Sequence, residues 1–447
     1  MTDLRHPDTE VPPPPLPAGA PGTAEAQDGL VPYAGLRLAA LIAGLVALGI
    51  WNPWMLVVIT ALVVMITLHE FGHYVMAKRA GMKVTEFVLF FGPKVWSFRR
   101  GETEYGIKCI PAGAYVKIIG MHNLEEVPPA DEGRTYRQKT FPQRVGVAVA
   151  GSAMHFLLAL VLIFASLVFV GQVGGTLDAR DQARTWFIGT VVEGSGADRA
   201  GLRPGDAITS VDGEAIDTFA DLREAVTPVQ GETVPITFER DGRERAGEVS
   251  LAPYTYEGRR ATGLGVVVDY PEPEELGIVE GIAKTPVEFA NVTVQSVQAL
   301  GRFFSPSGIA DFSDQVGSAS EDREAAREAE QGGAAAEAPS ENRILSIYGL
   351  VRIGSDAGAV NPAALITLFA FVNIFIGVFN LVPLLPFDGG HVLIAVYERI
   401  QERRLRRRRY FTDVARLLPL TYVVVIGLGM LFISSLYLDI ANPLQTQ

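Results

Sequence analysis

One cysteine, Cys109, in 447 residues leaves no partner for an internal disulfide and excludes a zinc site built from thiolates. The apolar run after Arg37 is followed by no small-residue cleavage site, and the tail before it is too long for a secretory signal. Basic residues are scarce between 171 and 360, where 32 acidic side chains face only 16 basic ones. That segment outweighs the whole formal charge of -12, so the rest of the chain is slightly basic. What the sequence holds in quantity is apolar surface: 48% of residues are hydrophobic and the mean hydropathy is positive. An ordinary soluble fold is excluded by that combination, and part of the chain belongs in lipid.

A membrane-spanning helix takes about 20 apolar residues. Residues 54–77, 145–170, 361–387 and 418–438 supply four such spans, and 30–51 a fifth of minimal length. Residues 1–29, with Pro12 to Pro15 and no apolar period, read as a disordered tail. Loop 78–144 holds 12 basic and 7 acidic residues, and 398–416 holds 8 and 3, which puts both on the cytoplasmic side. The acidic segment then lies outside and the tail inside. Arg406 to Arg409 reads as an orientation and lipid-headgroup signal, with no nucleic acid as partner. Residues 276–305 space Ile282, Val287, Phe289, Val294, Val297 and Leu300 along one face of an amphipathic helix, on the membrane or leading back to it. Residues 311–342, rich in Ala, Glu, Gly and Ser, read as a flexible acidic linker.

The chemistry concentrates at His69-Glu-Phe-Gly-His73, at the end of the 54–77 run. On a helix the i, i+4 spacing turns both imidazoles to one face, a preassembled pair of zinc ligands. Glu70 beside them is placed to take a proton from water and hand one to a leaving amine. A bare HExxH is often accidental in a soluble chain, but three ionisable groups on an apolar helix are costly unless paired or metal-bound. A third ligand is needed, and Asp388 is the outstanding acid near the later spans. It closes Asn380-Leu-Val-Pro-Leu-Leu-Pro-Phe-Asp388-Gly-Gly-His391, where Pro383 and Pro386 break the helix. A helix-capping role is the alternative for Asp388.

These residues resemble the site-2 protease family of intramembrane metalloproteases, which pairs HExxH on one span with an Asn-x-x-Pro...Asp-Gly stretch on a later one. The resemblance implies a polytopic α-helical membrane protein of four to five spans in the cell's inner membrane, with the active site near the cytoplasmic side. It implies that His69, His73 and Asp388 hold Zn2+, that Glu70 is the catalytic acid and base, and that Asn380 binds substrate or the oxyanion. Phe91-Gly92-Pro93 and the stretch from Glu104 to Lys117 resemble the family's membrane-associated β-hairpin on the cytoplasmic side. Its edge could add a substrate strand, or the hairpin could be plainly structural. One position departs from the family: Gly151-Ser-Ala-Met-His155 stands where an Asn is usual, leaving His155 either a core histidine bonded to a neighbouring helix or a polar partner near the metal.

Ala200-Gly-Leu-Arg-Pro-Gly-Asp-Ala-Ile-Thr-Ser-Val-Asp-Gly213 resembles the PDZ domain of bacterial proteases, an α+β unit expected over 187–270 outside the membrane. Gly263, Leu264, Gly265 and Val266 would form its carboxylate-binding loop, or an ordinary turn into a strand. The resemblance further implies regulated intramembrane proteolysis. The substrate would be a single-span membrane protein, such as an anti-sigma factor, cut first by an upstream site-1 protease. A non-catalytic PDZ-bearing adaptor and a zinc transporter are the rival classes, and Glu70 argues against both, because metal binding alone needs no proton acceptor.

Overall fold

The computed structural model describes residues 33–121, 125–170, 186–256, 259–269, 275–332, 345–406 and 409–441. The expected N-terminal tail lies outside them. Among the described residues, four helices are long and apolar enough to cross a membrane. They are α1 (Ala34–Trp51), α2 (Pro53–Arg79), α3 (Phe141–Phe169) and the last helix, α11 (Leu418–Ala441), which the span takes up from Val414. Asn52 separates the first two: its side chain accepts the Met55 N–H at 2.9 Å, and Pro53 opens α2 where a missing N–H costs nothing.

Helices α2 and α3 meet through small residues. A Cβ on Gly72 would lie 2.5 Å from the Ala150 carbonyl oxygen, so only glycine permits the contact. Between them the chain makes a β-hairpin, β1 (Val84–Arg100) and β2 (Thr103–Ile118), antiparallel from Arg100↔Thr103 to Lys94↔Lys108. Register breaks follow, after which Phe87 lies opposite both Tyr105 and Val116. Phe91-Gly92-Pro93 lies in the hairpin's first arm and the stretch from Glu104 to Lys117 in its second. Val84–Leu89 sits between two parts of β2, and residues 114–118 form an outer edge.

A β-rich unit follows. Strands β3 (Phe187–Val191), β4 (Ala207–Val211), β5 (Glu214–Ala215), β6 (Thr233–Arg240), β7 (Arg243–Ser250) and β10 (Val266–Asp269) enclose Ile188, Ile208, Ile236, Val249, Leu251 and Leu264. The sheet order is β5-β4-β6-β7, with β10 paired to β3; short helices α4 (Gly196–Arg199) and α5 (Phe219–Val226) and strands β8 (Tyr254–Tyr256) and β9 (Arg259–Ala261) complete the unit. Asp206 is 1% exposed and its two oxygens accept from the Arg240 guanidinium at 2.7 and 2.6 Å, with the Arg203 N–H at 2.8 Å. Burial alone raises this carboxyl, but the Arg240 fork and the Arg203 N–H outweigh it and hold it below the usual carboxylate range. Its stabilisation is therefore complete above the unfolded value of about 3.9 and is lost as pH falls below it. Arg240→Met leaves the Asp206 carboxylate without its guanidinium, and the unit is expected to unfold at lower denaturant at pH 7 than wild type, with the difference shrinking as pH falls below the carboxylate range.

Helix α6 (Ile278–Phe303) returns along α3 and α9 (Ala364–Asn380), burying Gly281, Thr285, Val292, Ser296 and Leu300 and turning Val279, Ile282, Val287 and Val294 outward. Its Thr285, Thr293 and Ser296 hydroxyls donate to carbonyls one turn back, so no side-chain donor among the three faces the apolar surround unpaired. Residues 311–332, read from sequence as linker, belong instead to helix α7 (Pro306–Gly332); their Ala, Glu, Arg and Gln are strong helix formers, which outweighed the Gly and Ser that suggested a coil. Residues 333–342 lie outside the described residues.

After α8 (Ile347–Val360), the expected 361–387 span is a 17-residue helix, α9, that stops at Asn380 because Pro383 and Pro386 cannot continue it. Helix α10 (Asp388–Arg404) begins at once after the irregular Leu381–Phe387 segment.

Candidate metal centre

The two histidines of α2 stand one turn apart, their Nε2 atoms 3.1 Å from each other. Asp388 opens α10, and its Oδ2 lies 3.4 Å from His69 Nε2 and 3.3 Å from His73 Nε2. The chain reaches this position by doubling back tightly: a Cβ on Gly389 would lie 2.3 Å from the Leu381 carbonyl oxygen and 2.4 Å from that of Val382. Gly389 is thus required by close approach.

Three Lewis bases so arranged fit one small cation. For ligand bonds of about 2.0–2.1 Å, the edge of a tetrahedron is about 3.3–3.4 Å, and the three edges here measure 3.1, 3.3 and 3.4 Å. Asp388 Oδ2 is buried with no hydrogen-bond partner among the described residues, as a carboxylate oxygen meant for a metal must be.

Helix α3 supplies the backing. The Val147 carbonyl accepts the His73 Nδ1–H at 2.8 Å, which turns Nε2 toward the cluster. One turn on, the Gly151 carbonyl stands beside His69. His69 Nδ1 itself is buried without a bond of full hydrogen-bond geometry among the described residues. His155 lies one further turn along, bonded to a neighbouring helix as the first of its two readings has it. Its Nδ1 is 2.8 Å from Asn373 Oδ1 on α9, and its ring centroid is 5.0 Å from that of His69. Asn373 spends its amide nitrogen on the Phe369 carbonyl, so its oxygen must accept and His155 Nδ1 carries the proton. His155 stays outside the three-residue cluster.

The Val116 backbone N–H, on the outer edge of β2, stands beside the Glu70 carboxylate. Asn380 ends α9, half-buried, its amide without a hydrogen-bond partner among the described residues. Gly263 to Val266 belong to the β-rich unit, not to the cluster. Leu264 is in that unit's core, and Gly263 and Gly265 hold positive φ, 139° and 78°. The sequence reading missed the Val147 carbonyl and Gly151. Backbone acceptors carry no residue signature, but a polar Asn373 seven residues before Asn380 in an apolar helix was a visible signal.

A helix pair that can present two imidazoles and a carboxylate to one cation, with a glutamate alongside, in a chain with four helices among the described residues long and apolar enough to cross a membrane, has the makings of a membrane-embedded metalloprotease. The chain belongs to peptidase family M50, whose family model matches residues 57–422. It is 32% identical to the zinc metalloprotease Rip1 of Mycolicibacterium smegmatis over 414 residues, 86% of this chain and 96% of that one. Rip1 of Mycobacterium tuberculosis is 31% identical over the same shares, and a putative zinc metalloprotease of Mesorhizobium japonicum 29% identical over 78% of this chain and 89% of its own length. The protein is a zinc metalloendopeptidase and a multi-pass membrane protein.

Proposed function

We propose that this protease hydrolyses a peptide bond within the transmembrane segment of a single-span membrane protein. The cut follows removal of the substrate's ectodomain by an upstream site-1 protease, and an anti-sigma factor is the substrate class envisaged. The observation that carries the reading is the meeting of Glu70 with the outer edge of β2, through the Val116 N–H. A helical peptide bond is shielded by its own hydrogen bonds and must be unwound before attack. An edge strand beside the catalytic acid offers the unwound segment backbone partners where the reaction takes place.

His69, His73 and Asp388 hold the zinc in this reading. Bound zinc supplies Lewis acidity, polarising the scissile carbonyl and acidifying water. Glu70 takes the proton of the attacking water, whose oxygen bonds the carbonyl carbon, and returns it to the nitrogen as the C–N bond breaks. Asn380, at the mouth of the Leu381–Phe387 segment, donates its amide to the substrate carbonyl. The basic loops put the cluster near the cytoplasmic face and the β-rich unit outside. That unit acts as a PDZ domain, with Gly263, Leu264, Gly265 and Val266 receiving a new C-terminal carboxylate.

The test is purified protein in liposomes with two versions of a single-span substrate, one with its ectodomain intact and one already cut back. Cleavage of the shortened form only, at bonds that mass spectrometry places inside the apolar segment, is the expected result. Equal cleavage of an unfolded soluble protein, or none by a zinc-loaded sample, would sink the proposal.

A further inference from the structure

Arg144, near the start of α3, and Glu398, on α10, are 254 residues apart in sequence and form an ion pair with side-chain exposures of 8% and 4%. The other Glu398 oxygen accepts the Thr412 N–H at 2.7 Å, and the Tyr136 hydroxyl donates to the Arg144 carbonyl at 3.2 Å. One carboxylate thus joins α3, α10 and the chain entering α11. The pair is not an efficient stabiliser. Arg144 Nε is buried without a partner among the described residues, and buried ion pairs are often matched or bettered by apolar side chains of similar size. A pair does fix one relative position of its two helices where apolar contacts tolerate several.

What each helix carries from that point is the metal centre. Arg144 precedes by one turn the Val147 carbonyl that orients His73, and by two turns Gly151, which packs against both imidazoles. Glu398 lies ten residues beyond Asp388 on an unbroken helix, a lever of about 15 Å. The Asp388 end of that lever follows an irregular segment, and a cavity of about 290 Å³ lies beside the pair, lined by Tyr136, Leu385, Pro386, His391 and Val414. Close packing is therefore missing on that side of α10, and continuous helix is missing behind it.

We propose that Arg144 and Glu398 are positioning residues for the zinc site, setting Asp388 against His73 through the α3–α10 clasp. The inference rests on the ligand set of the preceding section. Three forms are compared with wild type: Glu398→Gln, Arg144→Lys, and the apolar pair Arg144→Met with Glu398→Leu. Zinc affinity is measured by chelator competition, the cobalt-substituted site by its d–d absorption, and folding by thermal melting.

The apolar pair is expected to melt within about 5 °C of wild type, since apolar replacement of a buried ion pair is often neutral. Its zinc affinity is expected to fall roughly 10- to 100-fold, with a changed cobalt band and a lower kcat at unchanged KM. Glu398→Gln and Arg144→Lys fall in the same direction. Wild-type affinity and cobalt spectrum in any folded variant that lacks the pair would overturn the proposal. If the apolar pair fails to fold, Glu398→Gln decides, because it keeps the shape of the side chain and an oxygen for the Thr412 N–H and loses the charge that pairs with Arg144. Failure of the wild type to bind zinc would refute the ligand set instead, which keeps the two conclusions separable.

Discussion

Glu70→Gln is expected to retain zinc and lose catalysis, with kcat down by about 10²- to 10⁴-fold. The substitution is nearly isosteric, and its amide oxygen can still face the Val116 N–H, so the edge of β2 keeps its place beside the site. None of the three clustered groups is touched. Only the capacity to take a proton from water and return it to the amine is removed. Metal content of the purified variant, read beside cleavage of a single-span substrate, separates the possibilities. Zinc retained with cleavage lost assigns the proton transfer to Glu70. Equal cleavage in both forms would remove Glu70 from the chemistry, and zinc lost with the activity would mean that Glu70 holds the site together.

The parts of this molecule legible in sequence are those whose signal is local. The HExxH spacing forces two imidazoles onto one helix face whatever the tertiary fold, and Pro383, Pro386 and the Asp388-Gly-Gly sequence announce a helix stop and restart. The structure brings Asp388 to the histidines across more than 300 residues, a juxtaposition suggested beforehand by its place near the later spans and by family resemblance. What stayed hidden depends on partners far away in the chain. Val147 acts through its carbonyl, which any residue would offer, and Arg144 and Glu398 look like ordinary loop charges until α3 and α10 meet. The acidic 311–332 stretch misled in the opposite sense, because Gly and Ser among its charges masked a run of good helix formers.

Gly151→Ala is expected to abolish metal binding while most of the fold survives. A Cβ at this position would lie 2.4 Å from His69 Cε1 and from His73 Nε2, and 2.6 Å from His69 Nε2, so it would occupy space the ligand atoms themselves need. The backbone of α3 cannot yield easily. Arg144 is tied to α10 on one side of Gly151, His155 to Asn373 on the other, and Gly72 already rests on the Ala150 carbonyl. The imidazoles must therefore turn, which breaks the His73 bond to Val147 and spreads the three edges of the cluster. Loss of a backing hydrogen bond alone costs about 10- to 100-fold in metal affinity, and displaced ligands cost more, so zinc should fall below stoichiometric after gel filtration. Gly146→Ala serves as the control in the same helix interface: its Cβ would meet only the flexible Met76 side chain at 3.4 Å, and both zinc content and melting temperature should match wild type. Full zinc occupancy in Gly151→Ala would mean that the two histidines do not hold the ion where the geometry puts it. Equal losses in the two variants would trace the effect to helix packing and not to the ligands.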